Sequence, residues 1–150
     1  MNIAFIDYTA SMQALDIYLS GCLPPHCPGC HNPELWDFNV GHPYFEGLKH
    51  IQKNIDSGLV ANVMIMGGEP LHQNLEQLQE LLMFIYSKRP VIWLFTRHQL
   101  IEVPESIKQY CDYIKTGPYR KNFSDEQPVY YGMTLASANQ CIWHSSEFRG

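Results

Sequence analysis

The stretch Ala14-Leu15-Asp16-Ile17-Tyr18-Leu19-Ser20-Gly21-Cys22-Leu23-Pro24-Pro25-His26-Cys27-Pro28-Gly29-Cys30-His31-Asn32-Pro33 joins a short apolar run to a loop that carries three cysteines. The run Ala14 to Leu19 suits a buried strand, and it delivers the loop at its carboxyl end. Three thiolates on one loop suit an iron-sulfur cluster whose fourth iron is left open for another ligand. Zinc is the other reading. It prefers four protein ligands, and His31 offers a fourth, although His31 adjoins Cys30 and no second Cys-x-x-Cys pair completes the usual set.

Strands and helices alternate outward from this point. Asn2 to Tyr8 reads as a preceding edge strand. Phe45, Leu48, Ile51, Ile55 and Leu59 recur at helical spacing across Tyr44 to Gly58, where Gly58 is a plausible stop. Val60 to Met66 is a second buried strand that runs into Gly67-Gly68-Glu69-Pro70. Leu75, Leu78, Leu81, Leu82 and Ile85 mark an amphipathic helix ended by Pro90, followed by the strand Val91 to Phe95. A weaker helix from about Pro104 to Tyr110, a short strand Tyr113 to Lys115 and the turn Thr116-Gly117-Pro118 come next. Arg120 to Pro128 reads as a surface loop and Val129 to Leu135 as a last extended element.

Such alternation with apolar strands predicts an α/β fold with a mostly parallel sheet, whose ligands bind beyond the carboxyl ends of the strands. The cysteine loop and the Gly67-Gly68-Glu69-Pro70 turn both follow strands, so they are expected to face one cavity. The two glycines let backbone approach a ligand without a Cβ in the way, and Glu69 or main-chain groups offer a partner for a ligand ammonium.

At 150 residues the chain is read as one domain, 1–150, large enough to fold without disulfide staples. A hydrophobic share of 45% against 17% charged residues marks a globular protein. The net charge of -5 with no basic block argues against nucleic-acid binding. No apolar run reaches membrane-spanning length, and the first ten residues lack the cations of a signal peptide. An odd cysteine count, with three crowded in one loop, favours metal ligation in a reducing compartment, so the expectation is cytoplasmic. Cys111 and Cys141 stand alone and read as buried structural thiols.

The motifs Gly21-Cys22, Cys27-Pro28-Gly29-Cys30-His31-Asn32-Pro33 with Trp36, Gly67-Gly68-Glu69-Pro70, Trp93-Leu94-Phe95-Thr96 and Tyr131-Gly132-Met133-Thr134-Leu135-Ala136-Ser137-Ala138-Asn139-Gln140 carry a resemblance. From about Asp16 to Gln140 the chain resembles the radical S-adenosylmethionine activating enzymes, specifically the small activases of anaerobic (class III) ribonucleotide reductase. The resemblance implies a shortened, open (βα) partial barrel of radical SAM type, since 150 residues are too few for a full barrel.

It also implies that Cys22, Cys27 and Cys30 hold a 4Fe-4S cluster and are the catalytic and metal residues. The open iron would bind S-adenosyl-L-methionine, with Gly67, Gly68 and Glu69 at its methionyl end and Gly29, Cys30 and His31 near its adenine. The implied reaction is reductive cleavage of that cofactor to a 5'-deoxyadenosyl radical, fed by a one-electron donor such as a flavodoxin or ferredoxin. The radical would then take hydrogen from a glycine of the partner, the large subunit of anaerobic ribonucleotide reductase. An activase of another glycyl-radical enzyme, or a non-catalytic zinc or iron-sulfur regulatory module, is the alternative.

Two departures from the family pattern stand out. Four residues separate Cys22 from Cys27 where the family has three, and Thr96-Arg97-His98 stands where such activases often carry Thr-Gly-Tyr. Thr96, Lys115 and Asn139 are expected near the mouth of the same cavity. Trp36, Trp93 and Trp143 read as core or interface aromatics. Met64 and Met66 read as strand packing. His42, His50, His72, His98 and His144 show no ligand spacing and are expected exposed or hydrogen-bonded, and the tail Ile142 to Gly150 is expected to fray or touch the partner.

Overall fold

A computed structural model of the chain describes residues Met1–Arg149. Its strands are β1 (Asn2–Thr9), β2 (Ala14–Leu19), β3 (His42–Pro43), β4 (Asn62–Gly67), β5 (Val91–Phe95), β6 (Tyr113–Thr116), β7 (Val129–Tyr130), β8 (Met133–Thr134) and β9 (Cys141–His144). The helices are α1 (Leu48–Asp56), α2 (Leu75–Tyr86), α3 (Glu105–Lys108) and α4 (Ser145–Phe148). A seven-stranded sheet runs in the order β3-β1-β2-β4-β5-β6-β9, and β7 pairs with β8 apart from it. The ladders β2–β4, β4–β5 and β5–β6 are parallel, while β1–β2, β1–β3 and β6–β9 are antiparallel. The expected mixed α/β class with a mostly parallel centre is therefore present.

Alternation along the central strands separates two faces. Leu15, Ile17 and Leu19 of β2, Val63 and Ile65 of β4, and Ile92 and Leu94 of β5 point to the side where α1, α2 and α3 pack. The 12-residue α2 is too short to hold as an isolated helix in water. Leu78, Leu81, Leu82 and Ile85 are fully buried, each worth about 1.5–3 kcal/mol on transfer from water, so packing rather than propensity maintains it. Asn74 caps its start by accepting from the Gln77 backbone N–H at 3.1 Å. On the second face Ala14, Met64, Trp93, Leu135 and Ile142 form a smaller core beneath the β7–β8 hairpin, with Met66 partly buried at its edge. Tyr131 and Gly132, at φ 50° and 80°, make the two-residue left-handed turn that such hairpins require.

Several expected boundaries shift for identifiable reasons. The helix anticipated from Tyr44 starts as a 3-10 turn over Tyr44–Gly47 and becomes α-helical only at Leu48. The strand anticipated from Val60 begins at Asn62, because Ala61 and Asn62 first donate to the Gln13 carbonyl at 2.9 and 3.0 Å. The extended element expected over Val129 to Leu135 is folded back on itself as β7 and β8.

The tail is a correction. β9 pairs residue for residue with β6, Ile142 is buried, and the Arg149 guanidinium donates to the Gln109 and Cys111 carbonyls, so the described part of Ile142 to Gly150 is built into the sheet. Gly150 itself lies outside the described residues. Among the described residues no helix is long and apolar enough to cross a membrane.

Candidate metal centre

β2 and β4 lie side by side and parallel, so the cysteine loop and the Gly67-Gly68-Glu69-Pro70 turn leave the same edge of the sheet. They are stitched together there. Gly68 N donates to Leu19 O and Glu69 N to Gly21 O, both at 2.8 Å. The glycines are needed for this approach: a Cβ on Gly68 would lie 2.2 Å from Gly21 O, and one on Gly67, at φ 116°, 2.4 Å from Leu19 N and O.

The loop itself is shaped by local bonds. Gly21 N donates to Leu35 O at 2.8 Å and Cys22 N to Trp36 O at 3.1 Å. Cys30 N closes onto Cys27 O at 3.1 Å across Pro28 and left-handed Gly29, the residue pattern of a type II turn. His26 stacks on Trp36 with ring centroids 3.8 Å apart and donates from Nε2 to Cys22 O at 2.8 Å.

Cys22, Cys27 and Cys30 all line one cavity of about 300 Å³, a size that suits a small ligand. The same cavity is also lined by Gly67, Gly68, Glu69, Thr96 and Lys115, by Tyr18, Met66 and Phe95, and by Leu135, Ala136 and Gln140. His31 is also on the wall, tilted against Tyr119 with centroids 4.5 Å apart. Gly29 and Asn139 are not among the lining residues. Gly29 shapes the turn, and Asn139 Nδ2 donates to Pro118 O at 2.8 Å. A larger cavity of about 600 Å³ shares Cys27, Arg97 and Tyr119 with the first and is walled by Pro25, His26, Arg120 and Phe123.

All five cysteines are free thiols. Cys111 is fully buried, as expected, whereas Cys141 is only partly buried, with its Sγ 3.3 Å from Thr116 Oγ1. Burial pushes the Cys22 thiol up to about 11, against the opposing pull of the Arg97 cation. Among the described residues no three His, Cys, Asp or Glu side chains converge closely enough to share a single metal ion. The three sulfurs instead surround a cavity, and a 4Fe-4S cluster accepts thiolates on separate irons. Trp36 lines that cavity too, and its Nε1 is the buried side-chain donor for which the described residues supply no acceptor. An indole N–H left this way costs about 1–3 kcal/mol unless a bound group accepts it. The donor set and this orphan N–H fit a sulfur-rich group in the cavity.

Glu69 is buried, and its carboxylate is fully engaged by the protein. Leu71 N donates to Oε2 at 2.8 Å, Arg97 N to Oε1 at 2.7 Å, and the Thr96 hydroxyl reaches both oxygens at 2.9 Å. The side chain therefore ties the turn to the end of β5, and the main chain of the turn is what it offers a ligand. Burial draws the Lys115 ammonium down to about 8, and Nζ donates to Gly117 O at 3.0 Å.

Sequence reasoning missed two participants. Arg97 was visible only as a departure from a family pattern, and His72 was grouped with histidines of no ligand spacing. His72 Nδ1 accepts from Leu23 N at 2.9 Å, and burial with the neighbouring Arg97 charge lowers the imidazole to about 4.

Comparison with known proteins yields a family model, described as a 4Fe-4S single cluster domain, that matches residues 13–143. Curated relatives include the anaerobic ribonucleoside-triphosphate reductase-activating proteins of Escherichia coli (strain K12) and Salmonella typhimurium. Each is 28% identical over 137 residues, which cover 85% of this chain and 86% of the relative. No solved structure matches.

Proposed function

This chain belongs to the 4Fe-4S single cluster domain family, and we propose that it is a radical S-adenosylmethionine activase that installs a glycyl radical on an anaerobic ribonucleotide reductase. The observation that carries the reading is the shared cavity, where three cysteines from the end of β2 meet the Gly67-Gly68-Glu69 turn from the end of β4. The similarity to reductase-activating proteins along nearly their whole length supports the choice of partner. The chain is read as one domain built as a shortened, open partial barrel.

Cys22, Cys27 and Cys30 would hold a 4Fe-4S cluster. When bound there, the cluster would supply the electron that splits the sulfonium of S-adenosylmethionine into methionine and a carbon radical able to take hydrogen from the reductase glycine. An external one-electron donor, a flavodoxin or ferredoxin, replenishes that electron. Main-chain carbonyls of Gly67 and Gly68 would accept from the ligand ammonium, since the Glu69 carboxylate already satisfies three protein donors. Cys30 and His31, which line the cavity, would border the adenine. Trp36 Nε1 would donate to the sulfur-rich group, and the apolar lining residues Met66 and Phe95 would help exclude water.

The regulatory-module alternative would hold zinc or an iron-sulfur cluster on the same cysteines without cleaving S-adenosylmethionine. Anaerobic reconstitution with iron and sulfide, followed by dithionite and S-adenosylmethionine, tests the reading. The expected result is 5'-deoxyadenosine, lost in Cys22→Ala, Cys27→Ala and Cys30→Ala and retained in Cys141→Ala, with a glycyl radical seen by electron paramagnetic resonance once the reductase is added. Stoichiometric zinc without cofactor cleavage would overturn it.

A further inference from the structure

We propose that Arg97 and His72 are positioning residues that fix the path of the loop between Cys22 and Cys27, and through it the separation of two of the three cluster sulfurs. The inference rests on the reading that these cysteines hold a cluster.

The loop Leu23-Pro24-Pro25-His26 has two residues without an N–H, so it cannot close helix or ladder bonds of its own. Its polar backbone groups are met by side chains from elsewhere. Arg97 Nη1 donates to Pro25 O at 2.6 Å and Nη2 to Leu23 O at 3.0 Å, so one planar guanidinium grips two carbonyls two residues apart. A rigid fork of this kind fixes orientation as well as distance, which a single ammonium cannot do. The base of the fork is itself held, because Arg97 N donates to Glu69 Oε1 at 2.7 Å.

His72, just after the same turn, takes the Leu23 N–H on Nδ1. That bond places the His72 proton on Nε2, which lies 2.9 Å from His98 Nε2. His98 must accept there, so its own proton sits on Nδ1, 3.3 Å from Glu102 Oε1. The relay has one self-consistent set of tautomers, and that set keeps His72 Nδ1 an acceptor. Two turns, after β4 and β5, thus grip the cysteine loop from both its carbonyl and its N–H side. Removing the fork leaves Pro25 O without its donor, Leu23 O with only the long 3.8 Å contact from Cys22 Sγ, and the Cys22-to-Cys27 path free to vary.

The test is anaerobic reconstitution of the full chain as wild type, Arg97→Met, Arg97→Lys, His72→Phe and Arg120→Met. It reads iron and sulfide per chain, the rate of cluster loss to a ferrous chelator, and the paramagnetic resonance line shape after dithionite. Arg97→Met is expected to lose the cluster about tenfold faster or more, the factor one lost charge-assisted hydrogen bond is worth, with a broadened signal. Arg97→Lys, which reaches one carbonyl, falls between, and His72→Phe behaves like Arg97→Met to a smaller extent. Arg120→Met removes a nearby exposed cation outside the grip and matches wild type.

Should Arg97→Met fail to fold, the Lys and Phe variants still decide. Wild-type retention and line shape in all Arg97 and His72 variants would overturn this proposal alone. A wild-type chain that takes up no iron would overturn the reading beneath it, and the proposal with it.

Discussion

Replacing Glu69 by Gln changes one oxygen of a buried carboxylate into an NH₂ group, and the structure sets the cost. Whichever way the amide is turned, its NH₂ faces a backbone N–H, that of Leu71 or that of Arg97, so one buried donor is orphaned at about 1–3 kcal/mol. The remaining bonds turn from charge-assisted to neutral and lose about 1 kcal/mol more, while relief of a desolvated charge returns part of the sum. The net expectation for Glu69→Gln is a loss of about 2–4 kcal/mol, which for a chain of this length lowers the melting temperature by about 5–15 °C. Thermal melting and urea unfolding of the cluster-free chain at pH 7 read it directly. Thr96→Val, which removes the shared hydroxyl and with it the acceptor of the His98 N–H at 3.1 Å, should cost about 2 kcal/mol. A Glu69→Gln melting point within about 2 °C of wild type would refute the view that this carboxylate fastens the turn to β5.

Lys115 is held below its ordinary 10.5, at about 8, so the unfolded chain binds its proton more tightly and stability rises with pH between those two values. Lys115→Met should therefore stabilise the cluster-free chain by about 3 kcal/mol at pH 7, a gain that vanishes above pH 10.5 in urea titrations. Cys111 has the opposite sign: burial pushes it from 9.0 to about 12, so stability falls by about 1.4 kcal/mol per pH unit once the unfolded thiol ionises. The two slopes cancel between pH 9.0 and 10.5, so there the unfolding midpoint of Cys111→Ala should climb relative to wild type while that of Lys115→Met falls. Gly68→Ala drives a Cβ onto Gly21 O and Leu35 O, both backbone atoms, and should cost about 2–3 kcal/mol and impair cluster retention, read by melting and iron content.

The strands and the site's location were legible because apolar runs such as Ala14 to Leu19 and Val91 to Phe95 state burial on both faces, and because parallel strands present their following loops at one edge. The glycine pair was legible for the same reason: close backbone approach leaves a compositional mark. The Glu69 carboxylate was expected to offer a partner to a ligand ammonium, but its engagement by Thr96 and Arg97 depends on a loop 27 and 28 residues away, a distance no local pattern encodes. Arg97 and His72 were opaque on similar grounds, since a cation and an imidazole without ligand spacing look like solvated surface until the loop they hold is folded beside them. The Trp36 indole read as packing, and only three-dimensional burial reveals that its N–H lacks an acceptor. The tail was misjudged because Cys141 to His144 is only four residues long and its adjacent Ile142 and Trp143 give no strand alternation to announce an edge, and β6 supplies the pairing that makes it one.

From β2 through β4 and β5 to β6 the sheet gains each new parallel member at the same growing edge, so its spatial order follows the order of synthesis. A ribosome releasing residues at about 5–20 per second exposes the thiols of Cys22, Cys27 and Cys30 well before Arg97 emerges to grip their loop, and before Gln140 closes the side of the cavity. The order of synthesis thus leaves a nascent polypeptide with bare sulfurs and an open cavity, presented to whatever oxidant or stray ion arrives first.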